Sequence, residues 1–383
     1  MIEYSALSIS YRGESTARIK LALSIFVDEI RARSDVEVAR VPDGGTSTVT
    51  VVLDSDLDRL EGTLRDELLE LAAPRPEGYR IATSGSSIGV SGADERGILY
   101  GLGRLLRRLE IREQSVTLPG AVRLSSSPYC SLRGHQLGYR PKTNAYDMWT
   151  KDHFRQYIRD LAFFGANAIE LLPPRTDDEP RTPEMLYDQL EMMAWLSGEI
   201  HGLGLDVWIW YPNMSEDFSL QETLKAESAE RDEVFSRLPR IDVVMIPGGD
   251  PGDQEPADLF EWGRIQSEIL RKHHPDAKLW ISGQIFDATP AWQGAFFREL
   301  GKEPDWLGGA LPRALGKGRP GAVPGQRTAA LPDPEIPGHH PFAELPVPGS
   351  RLGPRLGGHT RARVLQPSAT GSQGDPQCVR ELC

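Results

Sequence analysis

The chain has 383 residues, of which 39% are apolar, and its formal net charge is −12. That length can bury two hydrophobic cores or one large barrel with an appendage, and the composition is typical of a globular protein. The negative charge and the lack of Lys/Arg blocks argue against a nucleic-acid partner, because binding to a phosphate backbone requires clustered cations.

The cysteines and the apolar runs exclude further classes of protein. Cys130, Cys378 and Cys383 are odd in number and widely spaced, so neither a disulfide framework nor a cysteine-based metal site is predicted. The first residues lack a basic segment followed by an apolar run, and no later run reaches the roughly 18 apolar residues of a membrane span. We therefore expect a cytoplasmic protein without membrane contact, metal or cofactor.

The first 125 residues alternate between helical and strand-like patterns, which predicts a small α+β domain over residues 1–125. Apolar spacing indicates helices, β-branched alternation indicates strands, and a Gly/Ser-rich turn between two such runs indicates a hairpin. The expected segments are helices at 14–33, 57–73 and 95–110, strands at 35–41 and 47–55, and a hairpin at 77–94.

From about residue 126 the pattern changes to repeated strand, loop and helix units. The predicted strands are 131–139, 167–173, 205–211, 241–247 and 278–283, with 305–311 as a candidate sixth. Near-continuous apolar strands separated by amphipathic helices are typical of a parallel sheet that is covered on both faces. No GxGxxG follows the first strand, so an α/β fold with a (β/α)8 TIM-type barrel over residues 126–310 is favoured over an open Rossmann sheet. Two further strands would be needed to close the barrel.

The composition changes abruptly over residues 311–383. This segment contains 12 Pro and 11 Gly but no Trp or Tyr, whereas all eight Trp of the chain precede it. Such a segment buries too little apolar area to offset the entropy of ordering it. A natural disordered tail is one interpretation. We favour a frame shift near residues 309–315, because the change falls inside a regular barrel. Translation of the other two reading frames of the gene would show whether either encodes further βα units that contain Trp and Tyr.

Functional side chains of a βα barrel project from the carboxyl ends of its strands, and here those ends are polar and aromatic. The candidate binding residues are Arg133, His135, Tyr139, Glu170, Trp208, Trp210, Tyr211, Asn213 and Gln284, and the candidate catalytic residues are Asp250, Asp253 and Glu255. Aromatic rings stack on sugar rings, arginine and amide groups bind hydroxyls, and carboxyl groups act on the glycosidic bond. The pattern predicts a carbohydrate site, with core packing as the alternative role of Trp208 and Trp210 and internal ion pairing as that of Arg133.

Residues 77–110, followed by the "LRGHQL" that opens the barrel at 132–137, resemble the bacterial β-N-acetylhexosaminidases and the related α-glucuronidases. The resemblance covers residues 1–310 and implies a small α+β domain in front of a catalytic barrel. It also implies hydrolysis of O-glycosyl bonds in a hexosamine- or uronic-acid-containing carbohydrate.

The same resemblance assigns roles to individual residues. Arg133 matches an arginine that holds sugar hydroxyls, and Asp250 matches the aspartate that orients the substrate acetamido group. Pro251 stands where these enzymes carry their acidic glutamate, and proline cannot donate a proton. Asp253 or Glu255 would serve as the acid only if burial raised its pKa. A non-catalytic carbohydrate-binding protein or truncated pseudoenzyme is therefore the alternative function.

Overall fold

The computed structural model describes residues 1–43, 45–138, 149–172, 174–175, 186–215, 217–248, 254–283 and 289–311. These residues belong to one compact unit of the chain. The predicted tail lies outside the described residues from 312 onward, so both interpretations of it stay predictions. The division at residue 125 into two domains likewise stays a prediction.

Residues 2–126 form what we call the N-terminal layer, in which strands and helices alternate. Its elements are β1 (Ile2–Tyr4), β2 (Ala6–Arg12), α1 (Ala17–Arg31), β3 (Glu37–Arg40), β4 (Val49–Leu53), a 3-10 helix (Asp54–Arg59), α2 (Thr63–Leu69), β5 (Tyr79–Ser84), β6 (Ser87–Gly92), α3 (Glu95–Leu106), β7 (Glu110–Arg112), β8 (Ser115–Leu118) and β9 (Arg123–Ser126).

The main sheet of this layer has the strand order β3-β2-β4-β6-β5-β9. The first four strands of that order are parallel, and β5 pairs antiparallel with both β6 and β9. Buried side chains of α1 and α3 cover one face, while Leu57 and Leu68 pack against Val52 and Ala82 of the sheet in a separate cluster. The predicted helices at 14–33 and 95–110, both strands and the hairpin are confirmed, and the layer is a mixed α/β arrangement.

The single helix predicted at 57–73 is wrong, because the segment forms a 3-10 helix and then the short helix α2. Gly62 separates the two with φ +71°, a left-handed conformation that interrupts a right-handed helix and that glycine adopts without a steric penalty. The apolar spacing alone did not reveal this break, since Leu57 and Leu68 are both buried in the same cluster.

The second half of the described chain repeats a strand and helix unit. Its elements are β10 (Gly134–Gln136), α4 (Lys151–Phe163), β11 (Ala168–Leu171), α5 (Gln189–Gly202), β12 (Asp206–Trp210), α6 (Gln221–Arg237), β13 (Val243–Ile246), α7 (Pro256–His273), β14 (Lys278–Ser282), α8 (Pro290–Leu300) and β15 (Leu307–Leu311).

The six strands β10 to β15 form one parallel sheet in chain order, which confirms all six predicted strands. Ile169, Val207 and Val244 occupy one face of this sheet and are fully buried against the helices. The alternate residues lie on the other face, which we call the inner face. The sheet is consistent with part of a barrel, and closure into eight strands stays a prediction.

The N-terminal layer packs against the amino ends of the parallel strands and against the end of α4. Arg96 of α3 donates to the Gly204 carbonyl, which precedes β12, and Tyr100 donates to the Ala166 carbonyl at 3.0 Å. Gly103 of α3 lies so close to the backbone of Phe163 that a side chain at this position would overlap the Phe163 carbonyl. Glycine therefore sets the distance between α3 and α4.

We expect Gly103→Ala to lower the free energy of unfolding by about 1–3 kcal/mol, because the added methyl group forces α3 away from α4. Gly198→Ala is the matched control, since Gly198 is also helical but has open space around its Cα. The control should raise the free energy of unfolding by about 0.5–1 kcal/mol, the usual helix preference of alanine over glycine. Denaturant unfolding measures both, and equal effects of the two substitutions would contradict this close approach.

Candidate functional site

Glu170 and three tryptophans share the inner face of the parallel sheet. Glu170 of β11 is level with Trp208 of β12, and Trp210 is level with Met245 of β13. Trp280 of β14 lies next to Met245, and its ring centroid is 5.1 Å from that of Trp208. The structure thus brings three predicted residues, Glu170, Trp208 and Trp210, to one surface. Their role in binding stays a prediction.

Glu170 is the carboxyl group of this surface with a strongly displaced pKa. Burial among the neighbouring side chains raises its pKa to about 7, and a hydrogen bond with Gln136 opposes the shift without cancelling it. Burial has this direction because a carboxylate loses more hydration than a neutral acid does. A carboxyl group that titrates near pH 7 can donate or accept a proton under physiological conditions.

The indole N–H groups of Trp208 and Trp280 are buried without a hydrogen-bond partner among the described residues. Each therefore carries a desolvation cost that a further acceptor would relieve. Together with the neutral form of Glu170, the inner face offers donors next to aromatic rings. Such a surface can stack against a sugar ring and bind its oxygens.

Tyr211 does not belong to this surface, which corrects its predicted role as part of a sugar platform. Its side chain is fully buried on the helix-covered side, where its hydroxyl donates to Glu230 at 2.9 Å. The Arg231 guanidinium lies 3.6 Å from the centre of its ring. The alternation of side chains along β12 explains the difference, since Tyr211 is an odd number of positions from both Trp208 and Trp210.

Arg231 belongs to a buried ion cluster behind the carboxyl end of β12. Its guanidinium donates to Glu227 at 2.9 Å, to Glu230 at 3.1 Å and to the Pro212 carbonyl at 3.2 Å. Burial alone would raise the pKa of Glu227, but Arg231, Ser215 and Arg175 outweigh it and hold the pKa below its usual value. The sequence does not predict this cluster, because the charged pattern of α6 is that of a solvated helix.

Asn213 is buried at the same end of the sheet and is held by two hydrogen bonds. Its amide donates to Gln254 at 2.9 Å, and its carbonyl oxygen accepts from the Trp262 indole at 2.9 Å. Both groups of the side chain are thus engaged within the protein. The geometry gives Asn213 a supporting position, and its predicted contact with a ligand remains a prediction.

Arg133 lies at the amino end of the sheet, which corrects its predicted place at the mouth. Its guanidinium donates to Glu77 at 2.6 Å, to the Gly165 carbonyl at 2.7 Å and to the Cys130 carbonyl at 2.8 Å. Arg133 precedes β10, and a residue that precedes a parallel strand projects from the edge opposite the candidate site. Arg133 thus forms an internal ion pair with Glu77, which was the alternative role that the sequence left open for it.

His135 and Glu255 also differ from their predicted positions. His135 is level with the helix-covered Ile169, and its Nε2 lies 2.6 Å from the Tyr157 hydroxyl. Burial lowers the pKa of His135. Glu255 is exposed at the start of α7, so the burial that an acid at this position required is missing. Asp250, Asp253, Tyr139 and Gln284 lie outside the described residues.

Neither a metal centre nor a membrane span emerges from the described part of the chain. No cluster of three or more His, Cys, Asp or Glu side chains within it has the arrangement that would hold a metal ion. None of its helices combines the length and apolar composition of a membrane span.

Comparisons with known proteins relate this chain to others by fold. No protein-family model matches it, and no curated protein matches its sequence. Its structure is similar to that of the Flavobacterium johnsoniae chitobiase, with a TM-score of 0.55 and 13% identity over 80% of this chain and 56% of that one. It is also similar to the β-N-acetylhexosaminidase of Bacteroides fragilis, with a TM-score of 0.51 and 14% identity over 77% of this chain and 68% of that one.

A third similar structure is a GH115 4-O-methyl-α-glucuronidase with specificity for decorated arabinogalactans. Its TM-score is 0.50 at 13% identity, and the match covers 72% of this chain and 42% of that one. The chain thus spans less than half the length of this glucuronidase and about half that of the chitobiase. At these identities the likeness concerns the fold, which is of a kind found in glycoside hydrolases.

The raised pKa of Glu170 predicts a dependence of stability on pH. Between about pH 4.5 and pH 7 the folded chain binds more protons at Glu170 than the unfolded chain does, so the free energy of unfolding falls as the pH rises through this interval. We expect Glu170→Gln to remove this fall, which is about 3 kcal/mol at most. Denaturant unfolding of both proteins at pH 4.5 and pH 8 tests the prediction, and a difference between them that is independent of pH would contradict it.

The buried ion cluster predicts a second effect on stability. Glu227→Gln keeps an acceptor for Ser215 but leaves the buried charge of Arg231 with less compensation, so we expect a loss of about 3 kcal/mol in the free energy of unfolding. Glu233→Gln on the same helix is the control. Glu233 is exposed, and its ion pair with Arg237 is long, at 3.8 Å, and exposed on both sides. It should change the free energy of unfolding by less than about 1 kcal/mol. A comparable loss in the two variants would rule out the special position of Glu227.

Proposed function

We propose that the protein is a glycoside hydrolase that acts at the carboxyl edge of its parallel sheet on a hexosamine- or uronic-acid-containing carbohydrate. The observation that supports this most is the position of Glu170. It is a carboxyl group with a pKa of about 7 on a surface of aromatic rings. The similarity in fold to a chitobiase and a glucuronidase is in keeping with such a reaction.

Glycoside hydrolysis requires one carboxyl group that donates a proton to the leaving oxygen and another that acts on the anomeric side. We assign the first role to Glu170, because a group with a pKa near 7 is partly protonated where a normal carboxyl group is not. The second role falls to Asp250, which follows Ile246, the last residue of β13, by four positions in the sequence. In this scheme Glu170 supplies the acid that Pro251 cannot.

The tryptophans supply the binding surface in this proposal. Trp208 and Trp210 offer faces for a sugar ring, and Trp280 adds a third indole that the predicted set of binding residues omitted. The N–H groups of Trp208 and Trp280 would donate to oxygens of the substrate, which is consistent with the lack of described partners for both. Asp253 remains a candidate from the sequence alone.

The test is hydrolysis of 4-nitrophenyl glycosides of N-acetylglucosamine and glucuronic acid by the full chain. We expect Asp250→Asn to lower kcat/KM by about 10²- to 10⁴-fold. Activity of the wild-type chain should decline above pH 7 as Glu170 ionises, and Glu170→Gln should lower kcat and abolish that decline.

Glu255→Gln serves as the control. Glu255 is exposed, so this substitution should leave kcat/KM unchanged. A wild-type rate in Asp250→Asn would refute the role of Asp250. A pH profile that is identical in Glu170→Gln and the wild type would refute the role of Glu170.

A non-catalytic carbohydrate-binding protein is the second candidate, and Pro251 at the position of the usual acid is the observation that favours it. Calorimetric titration with N-acetylglucosamine and glucuronate, alongside the hydrolysis assay, separates the two functions. Heat of binding without any turnover would favour the second candidate over the first.

A further inference from the structure

A cavity of about 170 Å³ lies where the N-terminal layer meets the amino end of the parallel sheet. Its walls include Tyr79 of β5, Arg107 after α3, Ser126 of β9 and Phe164 after α4. The volume is well above the roughly 10–15 Å³ that one water molecule needs on the same measure, so a small ligand fits. Arg133, which also lines it, projects from the edge of the sheet opposite the candidate carbohydrate site, so this cavity is separate from that site.

Arg107 has a different environment from the other arginines whose pKa is displaced. It donates to the Phe163 carbonyl and lies over the Phe164 ring at 4.5 Å from the ring centre. No carboxylate of the described residues forms an ion pair with it. Arg107 is exposed as a residue, but partial burial and the nearby charge of Arg104 lower its pKa. Carboxylate partners instead raise the pKa of six arginines: Arg59, Arg96, Arg155, Arg175, Arg240 and Arg264.

The other charges that line the cavity are already compensated. Arg133 and Glu77 form an ion pair at 2.6 Å, and Arg133 also donates to the Gly165 carbonyl just beyond the end of α4. These contacts leave Arg107 as the charge without an opposite partner among the described lining residues. A cation that is partly desolvated without a counter-charge costs free energy, which an anion would recover.

Two hydroxyl groups of the wall are also available to a ligand. Tyr79 and Ser126 line the cavity, and among the described residues their side-chain hydroxyls have no hydrogen-bond partner. Tyr79 lies near enough to Arg107 to act on its pKa, although less than burial does. A guanidinium and two hydroxyls around a small cavity are the groups that bind a carboxylate, since a guanidinium forms paired hydrogen bonds with its two oxygens.

We propose that this cavity binds a carboxylate, with Arg107 as its ionic partner and Tyr79 and Ser126 as hydrogen-bond donors. The carboxylate is that of a small acid or of a uronic acid, since both present the same two oxygens. The ring of Phe164, which is 73% exposed, gives the remainder of the ligand an apolar surface at the rim.

Ligand-observed NMR with the full chain at constant ionic strength tests the proposal, using acetate, glucuronate and glucose as probes. We expect acetate and glucuronate to bind and glucose not to bind at this cavity. Arg107→Met keeps the apolar stem but removes the charge, and it should weaken acetate binding by about tenfold or more. Arg108→Met is the matched control, because Arg108 is exposed and does not line the cavity.

Tyr79→Phe and Ser126→Ala keep the contact between Arg107 and the Phe163 carbonyl, so they report on binding if Arg107→Met folds poorly. Each should weaken acetate binding by about threefold. Tighter binding of glucuronate than of acetate through Arg107 would identify a sugar as the source of the carboxylate, and equal binding a small acid.

Undiminished acetate binding in a folded Arg107→Met, or in both hydroxyl variants, would overturn the proposal. Asp250→Asn should leave acetate binding unchanged, so the result is independent of whether the chain hydrolyses glycosides. Loss of acetate binding in Asp250→Asn but not in Arg107→Met would place the carboxylate elsewhere.

Discussion

The arrangement of the described chain depends on the hydrogen bonds and ion pairs that the carboxylate of Glu77 forms. It accepts hydrogen bonds from Arg96 at 2.8 Å, from Arg133 at 2.6 Å and from Asn167 at 3.2 Å. Burial would raise the pKa of Glu77, but these three donors outweigh it and lower the pKa. Arg96 belongs to the N-terminal layer, whereas Arg133 and Asn167 precede strands of the parallel sheet. One partly buried carboxylate therefore joins the two halves of the fold.

The backbone at Glu77 shows how firmly that position is held. Its φ of +62° is in the left-handed region, which a residue other than glycine occupies at a cost. Its backbone N–H donates to Asp94 at 2.7 Å, and Asp94 also caps α3 by accepting from the N–H of Gly97. Because these contacts anchor the N-terminal layer at the amino edge of the sheet, the candidate carbohydrate site at the carboxyl edge faces away from it.

A second polar cluster supports the carboxyl edge. The cation of Arg231 is fully buried and is compensated by Glu227 and Glu230, while its guanidinium stacks on Tyr211. Arg175, which follows β11, reaches the same two carboxylates. The segments that follow the neighbouring strands β11 and β12 thus both contact α6, which lies behind the inner face. Rigid support of this kind can hold the side chains of the inner face, Glu170 among them, in a fixed geometry.

Much of this protein follows from its sequence, because parallel strands buried on both faces must be apolar along their length. That constraint located all six strands of the parallel sheet, and period-two alternation placed Trp208 and Trp210 together. Tertiary structure decided the rest. Arg133 is adjacent to strand residues in sequence, yet its side chain pairs with Glu77, 56 positions away. No local pattern specifies which distant carboxylate a buried cation meets, so the direction of Arg133, the burial of Arg231 and the raised pKa of Glu170 arise only when the chain folds.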